Sequence, residues 1–316
     1  DLFDVAGYPT GGGSPLVLAM SGIKPRSARA VQSLLDAGAT LVGKTVTDEF
    51  AFSLNGLNAH FGAPINGAAP DRICGGSSSG SASAVSNQLC DIALGTDTGG
   101  SVRAPASHCG LYGLRPTHGR ISLEGCLDLA PGFDTCGWFA RDIATFSRVA
   151  DVLLAGDATA LPGPLRVLWP EDMWSLAVPA AREAHAEAIA RARKVLGEPE
   201  VITMTLDSLD AMYWAFRHIQ GREAWNTCGG LITRYNPPLG PGVAERFAWS
   251  SQVTDEQVAQ ARAYRDRYRA HLDALLGTNG VLLMPTMPDI APLRATSDAD
   301  LEDYRNRALR MLATAG

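Results

Sequence analysis

The sequence predicts an α/β fold. Segments with apolar residues at helical spacing alternate with short apolar runs typical of buried strands, and 46% of the 316 residues are apolar, enough for one large domain or two smaller ones. A third observation is a dense stretch of glycine and serine at 75–103, interrupted by a short apolar bridge. Glycines this close together allow tight turns and let backbone N–H groups approach a ligand, so we expect the rest of the chain to support this stretch.

The first half of the chain carries patterns for three helices and two strands. We predict helices over 25–37, over 80–89 and directly after the capping residue Asp142, and strands over 39–43 and 91–95. The first helix has a proline in its first turn and a glycine after its end, the usual asymmetry of helix termini. The second is rich in small residues, so we expect it to pack closely beneath the glycine-rich stretch.

A segment rich in Ala, Gly and Pro at 156–163 reads as a linker to the second half. Thr254 and Gln257 have the spacing of a capping box, which indicates that a long amphipathic helix begins there. The elements predicted in this half are strands over 167–169, 201–206 and 280–285, and helices over 179–196, 255–276 and 298–313.

The composition argues against several classes of function. The formal net charge is −6, with acidic and basic residues interleaved, so we expect neither a nucleic-acid partner nor a membrane partner. No run of about 18 apolar residues and no secretory leader pattern is present, and we expect a cytoplasmic protein. The six cysteines form no Cys-x-x-Cys pair and the six histidines lack metal-ligand spacing. We therefore expect free buried thiols, no metal and no cofactor.

Short motifs also suggest other chemistry. Residues 38–45 match the phosphate-binding pattern G-x-x-x-x-G-K-[ST], but an apolar strand is predicted where the loop should lie. Residues 76–80 match the G-x-S-x-G nucleophile elbow of esterases with Ser78 as the nucleophile, although a polar segment precedes them where the elbow requires a strand. This esterase stays open as a minor alternative. His108 and His118 flank the region as candidate bases, although a histidine that merely bonds a loop is the commoner case.

Two segments, 75–82 and 95–106, resemble the double motif of the amidase signature family. They read Gly-Gly-Ser-Ser-Ser-Gly-Ser-Ala and Gly-Thr-Asp-Thr-Gly-Gly-Ser-Val-Arg-Ala-Pro-Ala. The resemblance extends to 43–50 and 133–142, and covers about half of the chain. The three consecutive serines and the Gly-Trp-Phe-Ala-Arg-Asp segment look like the indoleacetamide-hydrolase-like branch. The resemblance implies an α/β/α sandwich around a large mixed central sheet.

Members of that family hydrolyse carboxamides to carboxylic acids and ammonia through a Ser–cis-Ser–Lys triad and a serine acyl-enzyme. The resemblance implies that Ser101 is the nucleophile. It also implies that Ser77, joined to Gly76 by a cis peptide bond, relays the proton. Backbone N–H groups would form an oxyanion hole for the substrate carbonyl. The residues implied for that hole are Thr98, Gly99, Gly100 and Ser101.

The resemblance places the lysine of the triad directly ahead of Asp1, so this sequence does not contain it. Both ends look cut, and we expect the chain as written to have little or no amidase activity. Lys44 lies among residues of a different family segment. We expect it to end a strand and pair with Asp48 or Glu49, with a role as catalytic base as the alternative. A catalytically inactive amidase-fold binding or scaffold protein is the second functional hypothesis.

We expect three regions along the chain: an amidase signature core at 1–156, a variable and mostly helical region at 157–279, and a return to the core sheet at 280–316, incomplete at its C-terminus. The expected partner is a small-molecule amide, neutral and somewhat hydrophobic, such as an aryl-acetamide. A homodimer is left open. Apolar residues near the serine loop are candidates for the acyl pocket, namely Phe52, Leu54 and Trp138.

Overall fold

The computed structural model describes residues 2–154 and 163–316. The linker predicted at 156–163 lies, apart from Gly163, outside the described residues. The described helices are α1 (Pro15–Ser21), α2 (Arg29–Asp36), α3 (Ser79–Ser86), α4 (Arg103–His108), α5 (Ile143–Leu153), α6 (Glu171–Trp174), α7 (Pro179–Ala184), α8 (Ala186–Leu196), α9 (Leu209–Tyr235), α10 (Val243–Ser250), α11 (Asp255–Leu276) and α12 (Asp298–Leu312). The described strands are β1 (Ile92–Thr96), β2 (Tyr112–Leu114), β3 (Cys136–Ala140), β4 (Arg166–Pro170), β5 (Glu200–Ile202) and β6 (Gly280–Leu282).

The first sheet is antiparallel, with strand order β1-β3-β2. Its central strand β3 is buried at every residue, because α3 and α5 pack against it. Gly95 of β1 lies opposite Gly137 of β3, where neither residue has a side chain to separate the backbones. Strand β1 ends at Thr96, so this sheet positions the glycine-rich loop that follows.

The second sheet is parallel, with strand order β5-β4-β6, and α11 packs against β6. The α/β class is confirmed, but the single large sheet that we expected is observed as these two three-stranded sheets. Within residues 2–154 and 163–316, extended segments outside the two sheets form isolated bridges, such as the one between Arg72 and Leu293. Such single bridges do not extend into a ladder that would join the sheets.

The helix predictions hold best where a cap marks the start. Helix α11 has the predicted bounds, and Thr254 Oγ1 accepts a hydrogen bond from Gln257 N at 3.2 Å while Thr254 N donates to Gln257 Oε1 at 2.9 Å. Asp142 caps α5 by accepting from Thr145 N at 2.8 Å. The helix predicted over 179–196 is observed as two helices, α7 and α8. They divide at His185, where the helical turn is tighter and the N–H is shared between the carbonyls of Ala181 and Arg182.

Several elements differ from the sequence prediction, and the clearest differences are one strand and one long helix. The strand predicted over 39–43 is wrong, because this segment pairs with no described strand and exposes 72% of Val42. Its alternate residues Ala39 and Leu41 rest against the apolar cluster under α2 and α5. Helix α9, with 27 residues, was not predicted. It packs against α10, α11 and α12, so its apolar residues lie on several faces and give no one-sided pattern.

The largest apolar cluster joins α9–α12 to the turn at 50–54 and to the segment at 129–133. The glycine-rich loop packs against one side of this cluster, and the candidate site lies where the loop and the cluster meet. None of the helices in the described part of the chain is both long and apolar enough to cross a membrane.

Candidate active site

Ser101 lies between the end of β1 and the start of α4, where it lines a narrow cavity. The cavity is lined by the loop itself, by the turn at 51–54, and by side chains of α9 and α12. Three successive small or flexible residues precede Ser101, so its hydroxyl can be approached without an obstructing side chain. The cavity is the place where an acyl group could meet Ser101.

Asp97 organises the loop. Its carboxylate accepts hydrogen bonds from the backbone N–H groups of Gly100 at 2.8 Å, Val102 at 3.1 Å and Arg103 at 3.2 Å. The chain therefore curls around this side chain, and the loop residues whose N–H groups are not used in this way, Thr98, Gly99 and Ser101, line the cavity. A side chain with two acceptor oxygens is needed, because three donors converge on it.

The charge of Asp97 is neutralised by two guanidinium groups. Asp97 is fully buried, and its Oδ1 lies 2.9 Å from Arg103 Nη2 and 3.2 Å from Arg115 Nη1. Burial alone would raise the pKa of the Asp97 carboxyl, but the charges of Arg103 and Arg115 hold that pKa well below its usual range. The loop is thus built on a permanently ionised carboxylate.

Three backbone N–H groups around Ser101 are free to bind a carbonyl oxygen. Among the described residues, those of Thr98, Gly99 and Ser101 have no hydrogen-bond acceptor. The expectation for Gly100 needs correcting, because its N–H already donates to Asp97. A hole of three donors is sufficient for a developing oxyanion.

The Gly76–Ser77 peptide bond is cis, as predicted. The carbonyl of Ser77 accepts from Asp48 N at 3.0 Å and from Thr47 Oγ1 at 2.8 Å, which fixes this turn from the side opposite to the loop. The Ser77 hydroxyl is completely buried and has no hydrogen-bond partner among the described residues. Ser78 N donates to Ser101 O at 3.3 Å, so the two motifs lie side by side.

A buried carboxyl group supports the turn at Gly76. Asp48 accepts a hydrogen bond from Gly56 N at 3.0 Å, and a side chain on Gly76 would collide with its Oδ2. Burial raises the pKa of Asp48 to about 6, against the hydrogen bond from Gly56 and the positive charge of Arg246. Its second oxygen has no partner within the described chain.

Ser78 has a structural position. Its hydroxyl donates to Thr96 O at 3.3 Å and accepts from Thr96 N at 3.1 Å, so it ties α3 to the end of β1. Ser78 is fully buried, and no strand precedes it where a nucleophile elbow requires one. The geometry therefore disfavours the esterase alternative.

The other candidate bases are engaged elsewhere. Lys44 Nζ donates to Pro9 O and Thr10 Oγ1, both at 2.7 Å, so its predicted pairing with Asp48 or Glu49 is wrong. Glu49 instead bonds His60 at 2.9 Å. Burial lowers the pKa of Lys44, against the attraction of a nearby carboxylate.

The two histidines are likewise not bonded to Ser101. His108 Nε2 bonds the hydroxyl of Tyr304 at 2.9 Å, and burial lowers the pKa of His108 to about 3. His118 Nε2 bonds the carbonyl of Pro131 at 2.8 Å. No group of three or more His, Cys, Asp or Glu side chains suited to a metal ion occurs in the described part of the chain.

The residues expected to form the acyl pocket are divided between two places. Phe52 and Leu54 line the cavity beside Ser101. Trp138 does not reach it, because this side chain of β3 points into the apolar cluster under α2 and α5, where its ring packs on Phe146 at 5.1 Å. The difference follows from position, because Phe52 and Leu54 lie in the turn at 51–54 whereas Trp138 lies in the central strand of the first sheet.

Sequence reasoning missed a cluster of three buried arginines, of which one lines the cavity, namely Arg217 of α9, Arg246 of α10 and the cavity-lining Arg305 of α12. Each is at most 7% exposed. Burial, reinforced by the charge of Arg305, lowers the pKa of Arg217 to about 10 and that of Arg246 to about 9, so both stay charged at neutral pH. Arg217 and Arg246 lie 29 positions apart in sequence, and Arg246 and Arg305 lie 59 apart. No local sequence pattern therefore connects the three arginines.

Known proteins resemble this chain over its whole length. A family model described as Amidase matches residues 1–211. Amidase 1 of Arabidopsis thaliana is 38% identical over 345 aligned positions, which cover 100% of this chain and 81% of that protein. The chloroplastic outer envelope protein 64 of Arabidopsis thaliana is 33% identical, covering 100% of this chain and 58% of that protein. A solved structure titled "Crystal structure of amidase" superimposes with a TM-score of 0.86 at 28% identity, covering 99% of this chain and 73% of that one.

Proposed function

The chain belongs to the amidase family, and on that premise we propose that it hydrolyses a carboxamide to a carboxylic acid and ammonia through an acyl-enzyme on Ser101. The observation that carries the proposal is the set of three unbonded N–H groups around Ser101, beside a cavity. Backbone donors in this arrangement serve to stabilise negative charge on a carbonyl oxygen.

The proposed reaction has two halves. The Ser101 oxygen attacks the amide carbon, and the C–N bond breaks as the nitrogen receives a proton and leaves as ammonia. A water molecule then attacks the resulting ester, which releases the carboxylic acid and returns the proton to Ser101. In both tetrahedral intermediates the oxyanion lies against the N–H groups of Thr98, Gly99 and Ser101.

Ser77 is proposed to relay the proton between Ser101 and the leaving nitrogen. Its hydroxyl is buried, lacks a hydrogen-bond partner in the described chain, and lies in the turn beside Ser101. A buried hydroxyl without a partner is costly, so a functional use accounts for its position. The base that would complete the relay is a lysine by family resemblance. The described contacts of Lys24 and Lys44, with Asp4 and with Pro9 and Thr10, do not include Ser77.

The test combines turnover with covalent labelling of the native protein. Ammonia release from a panel of primary amides should be abolished in Ser101→Ala and reduced at least about 100-fold in Ser77→Ala. A fluorophosphonate should transfer its phosphonyl group to the Ser101 oxygen, with loss of fluoride and of the hydroxyl proton, and peptide sequencing by mass spectrometry should locate the adduct there. Ser86→Ala, at the far end of α3, is the matched control and should keep full activity and labelling. An adduct on Ser78 would instead favour the esterase alternative.

A non-catalytic binding or scaffold protein is the second hypothesis. The observation that favours it is the resemblance to the chloroplastic outer envelope protein 64, whose name gives no enzymatic activity. Under this hypothesis the native protein would release no ammonia and would not be labelled, while Ser101→Ala would bind the same ligands as the wild type. Detectable turnover that is lost in Ser101→Ala would exclude it.

We also propose a cytoplasmic location and a small-molecule amide as the only partner that the reaction needs. All six cysteines are free, which is usual in reducing compartments. The indoleacetamide-hydrolase-like branch stays a prediction. Phenylacetamide and indole-3-acetamide belong in the substrate panel as its direct test.

A further inference from the structure

Three buried guanidinium groups converge beside the cavity that contains Ser101. Arg305 lines the cavity directly, together with Gln220 of α9. Arg246 lies behind the turn at 51–54, where its Nε donates to Phe52 O at 2.6 Å, and Arg217 stacks on the ring of Trp249 at 4.9 Å. The charge of Arg305 lowers the pKa of both Arg217 and Arg246, and the charge of Arg217 lowers the pKa of Arg246, so the three charges are close together.

Few negative charges balance this cluster. Arg305 and Arg246 share Glu302, at 3.0 Å and 3.6 Å, but the side chain of Glu302 is 46% exposed and its charge is partly screened by water. Asp48 is the buried carboxyl that opposes Arg246. Among the described residues, Arg217 has only the neutral hydroxyl of Tyr213 as a hydrogen-bond acceptor, at 3.3 Å. The arginine cluster therefore carries an excess of positive charge, and Arg305 presents it to the cavity.

One polar atom on each of two cavity-lining side chains also lacks a partner in the described part of the chain. Arg305 Nε and Gln220 Oε1 are buried, and neither has a hydrogen bond among the described residues. Arg305 is 3% exposed and Gln220 is 5% exposed, so water does not compensate them freely. A buried guanidinium with a free N–H is costly unless an anion completes its hydrogen bonds.

We propose that the substrate is an amide whose acyl chain ends in a carboxylate, and that Arg305 binds that carboxylate while the amide lies at Ser101. This inference rests on the proposed amidase function and names its substrate class. It departs from the neutral aryl-acetamides that the family resemblance implies. The small cavity favours a short acyl chain, with its methylene groups against Phe52, Leu54 and Leu309.

The experiment compares two amides of similar size on the native protein. Succinamate carries the carboxylate, and butyramide has a methyl group in its place. We expect the wild type to have a kcat/KM for succinamate about 10- to 100-fold above that for butyramide, the range of one charge-assisted hydrogen-bond pair. Arg305→Gln should remove this preference, mainly by raising the KM for succinamate, and leave butyramide within about threefold. Arg307→Gln, on the exposed side of α12 and paired with Asp303, is the matched control.

A binding measurement keeps the inference testable without turnover. By calorimetry, Ser101→Ala should bind succinamate more tightly than butyramide, and added salt should weaken only the succinamate complex. If the kcat/KM for butyramide equals that for succinamate, the proposed anion site is wrong and the amidase proposal stands. If succinamate binds preferentially but no amide is hydrolysed, the amidase proposal fails and the anion site stands. Equal binding of the two compounds with no turnover overturns both.

Discussion

Asp97 and Arg115 form a buried ion pair beneath the serine loop, with Oδ1 and Nη1 3.2 Å apart and side-chain exposures of 0% and 3%. Arg115 also donates to the carbonyl of Asp97 itself and, through Nε at 3.1 Å, to Ala315 O. Arg103 completes the arrangement by donating to Leu312 O at 2.8 Å. The loop that carries Ser101 is in this way tied to the segment that follows α12.

Asp97→Asn should destabilise the protein and abolish activity together. The amide keeps one acceptor, but it leaves the guanidinium groups of Arg103 and Arg115 without a buried counter-charge, which costs about 3–5 kcal/mol. The free energy of unfolding in urea measures this cost. Asp91→Asn is the control, because Asp91 pairs with Arg141 while 86% exposed, and its loss should change stability by no more than about 0.5 kcal/mol. Equal effects from the two substitutions would contradict the role given to the buried pair.

Gly100→Ala should also disable the loop, for a conformational reason. Gly100 has φ 123°, a region closed to alanine, and an added Cβ would collide with the side chain of Leu312. We expect a loss of about 1–3 kcal/mol in stability and, since Ser101 is next in sequence, about a 100-fold lower kcat.

The collision and the backbone strain at Gly100 can be separated. Adding Leu312→Ala removes the collision only. The double variant should therefore recover part of the kcat, while the backbone strain at Gly100 remains. Gly43→Ala is the control, since no atom lies within 4 Å of its added Cβ and its φ is not in the left-handed region. A Gly100→Ala protein with wild-type kcat would show that the loop adapts freely.

His108 should make the protein less stable in acid. Burial lowers its pKa to about 3 from an ordinary value of 6.5. Between these values the unfolded chain binds a proton that the folded chain does not, so stability falls as the pH drops from 6.5 toward 3. From pH 7.5 to 5.5 the contribution amounts to about 1.4 kcal/mol.

The measurement for His108 is the free energy of unfolding of the wild type and of His108→Gln at the two pH values. The glutamine keeps a polar group near Tyr304 but does not titrate, so the variant should lose less stability in acid than the wild type by about 1.4 kcal/mol. Because Asp48 and the other carboxyls are common to both proteins, their titration cancels in this difference. Parallel pH profiles would mean that His108 becomes protonated in the folded state.

The sequence predicted the serine loop well because its signals are contiguous. Ser77, Ser101 and the glycines lie within one stretch of the chain, and the cis bond at Gly76–Ser77 follows the double motif. Helix α11 was predicted for a similar reason, since Thr254 and Gln257 specify its start locally.

The remaining parts of the site depend on contacts between distant segments. Arg217, Arg246 and Arg305 come from three separate helices and meet only through the packing of α9, α10 and α12. In sequence each resembles the charged residues of an exposed helix face, such as Arg307. Gly100 shows the same limit at shorter range, because a glycine-rich motif does not reveal that Asp97 will accept its N–H.

The contrast between Phe52 and Trp138 gives the last prediction, which concerns selectivity. Phe52 lines the cavity and packs edge-on against Phe247 with ring centroids 5.0 Å apart, so Phe52→Leu should change the relative kcat/KM for amides of different chain length by about tenfold. Trp138→Phe should leave that ratio unchanged within about twofold, because Trp138 lies in the cluster under α2 and α5.

The stability cost of Trp138→Phe is also expected to be small for so large a side chain. Trp138 is completely buried, yet its Nε1–H has no acceptor among the described residues, and the phenylalanine removes this unpaired donor. The gain from removing an unsatisfied group offsets part of the lost packing, and we expect a net loss in the free energy of unfolding of no more than about 2 kcal/mol.

The selectivity prediction is checked by measuring kcat/KM for acetamide, butyramide and hexanamide in Phe52→Leu and Trp138→Phe. This measurement decides which of the two residues lines the acyl pocket. A shift in chain-length preference with Trp138→Phe, and none with Phe52→Leu, would place the acyl pocket on the opposite side of β3.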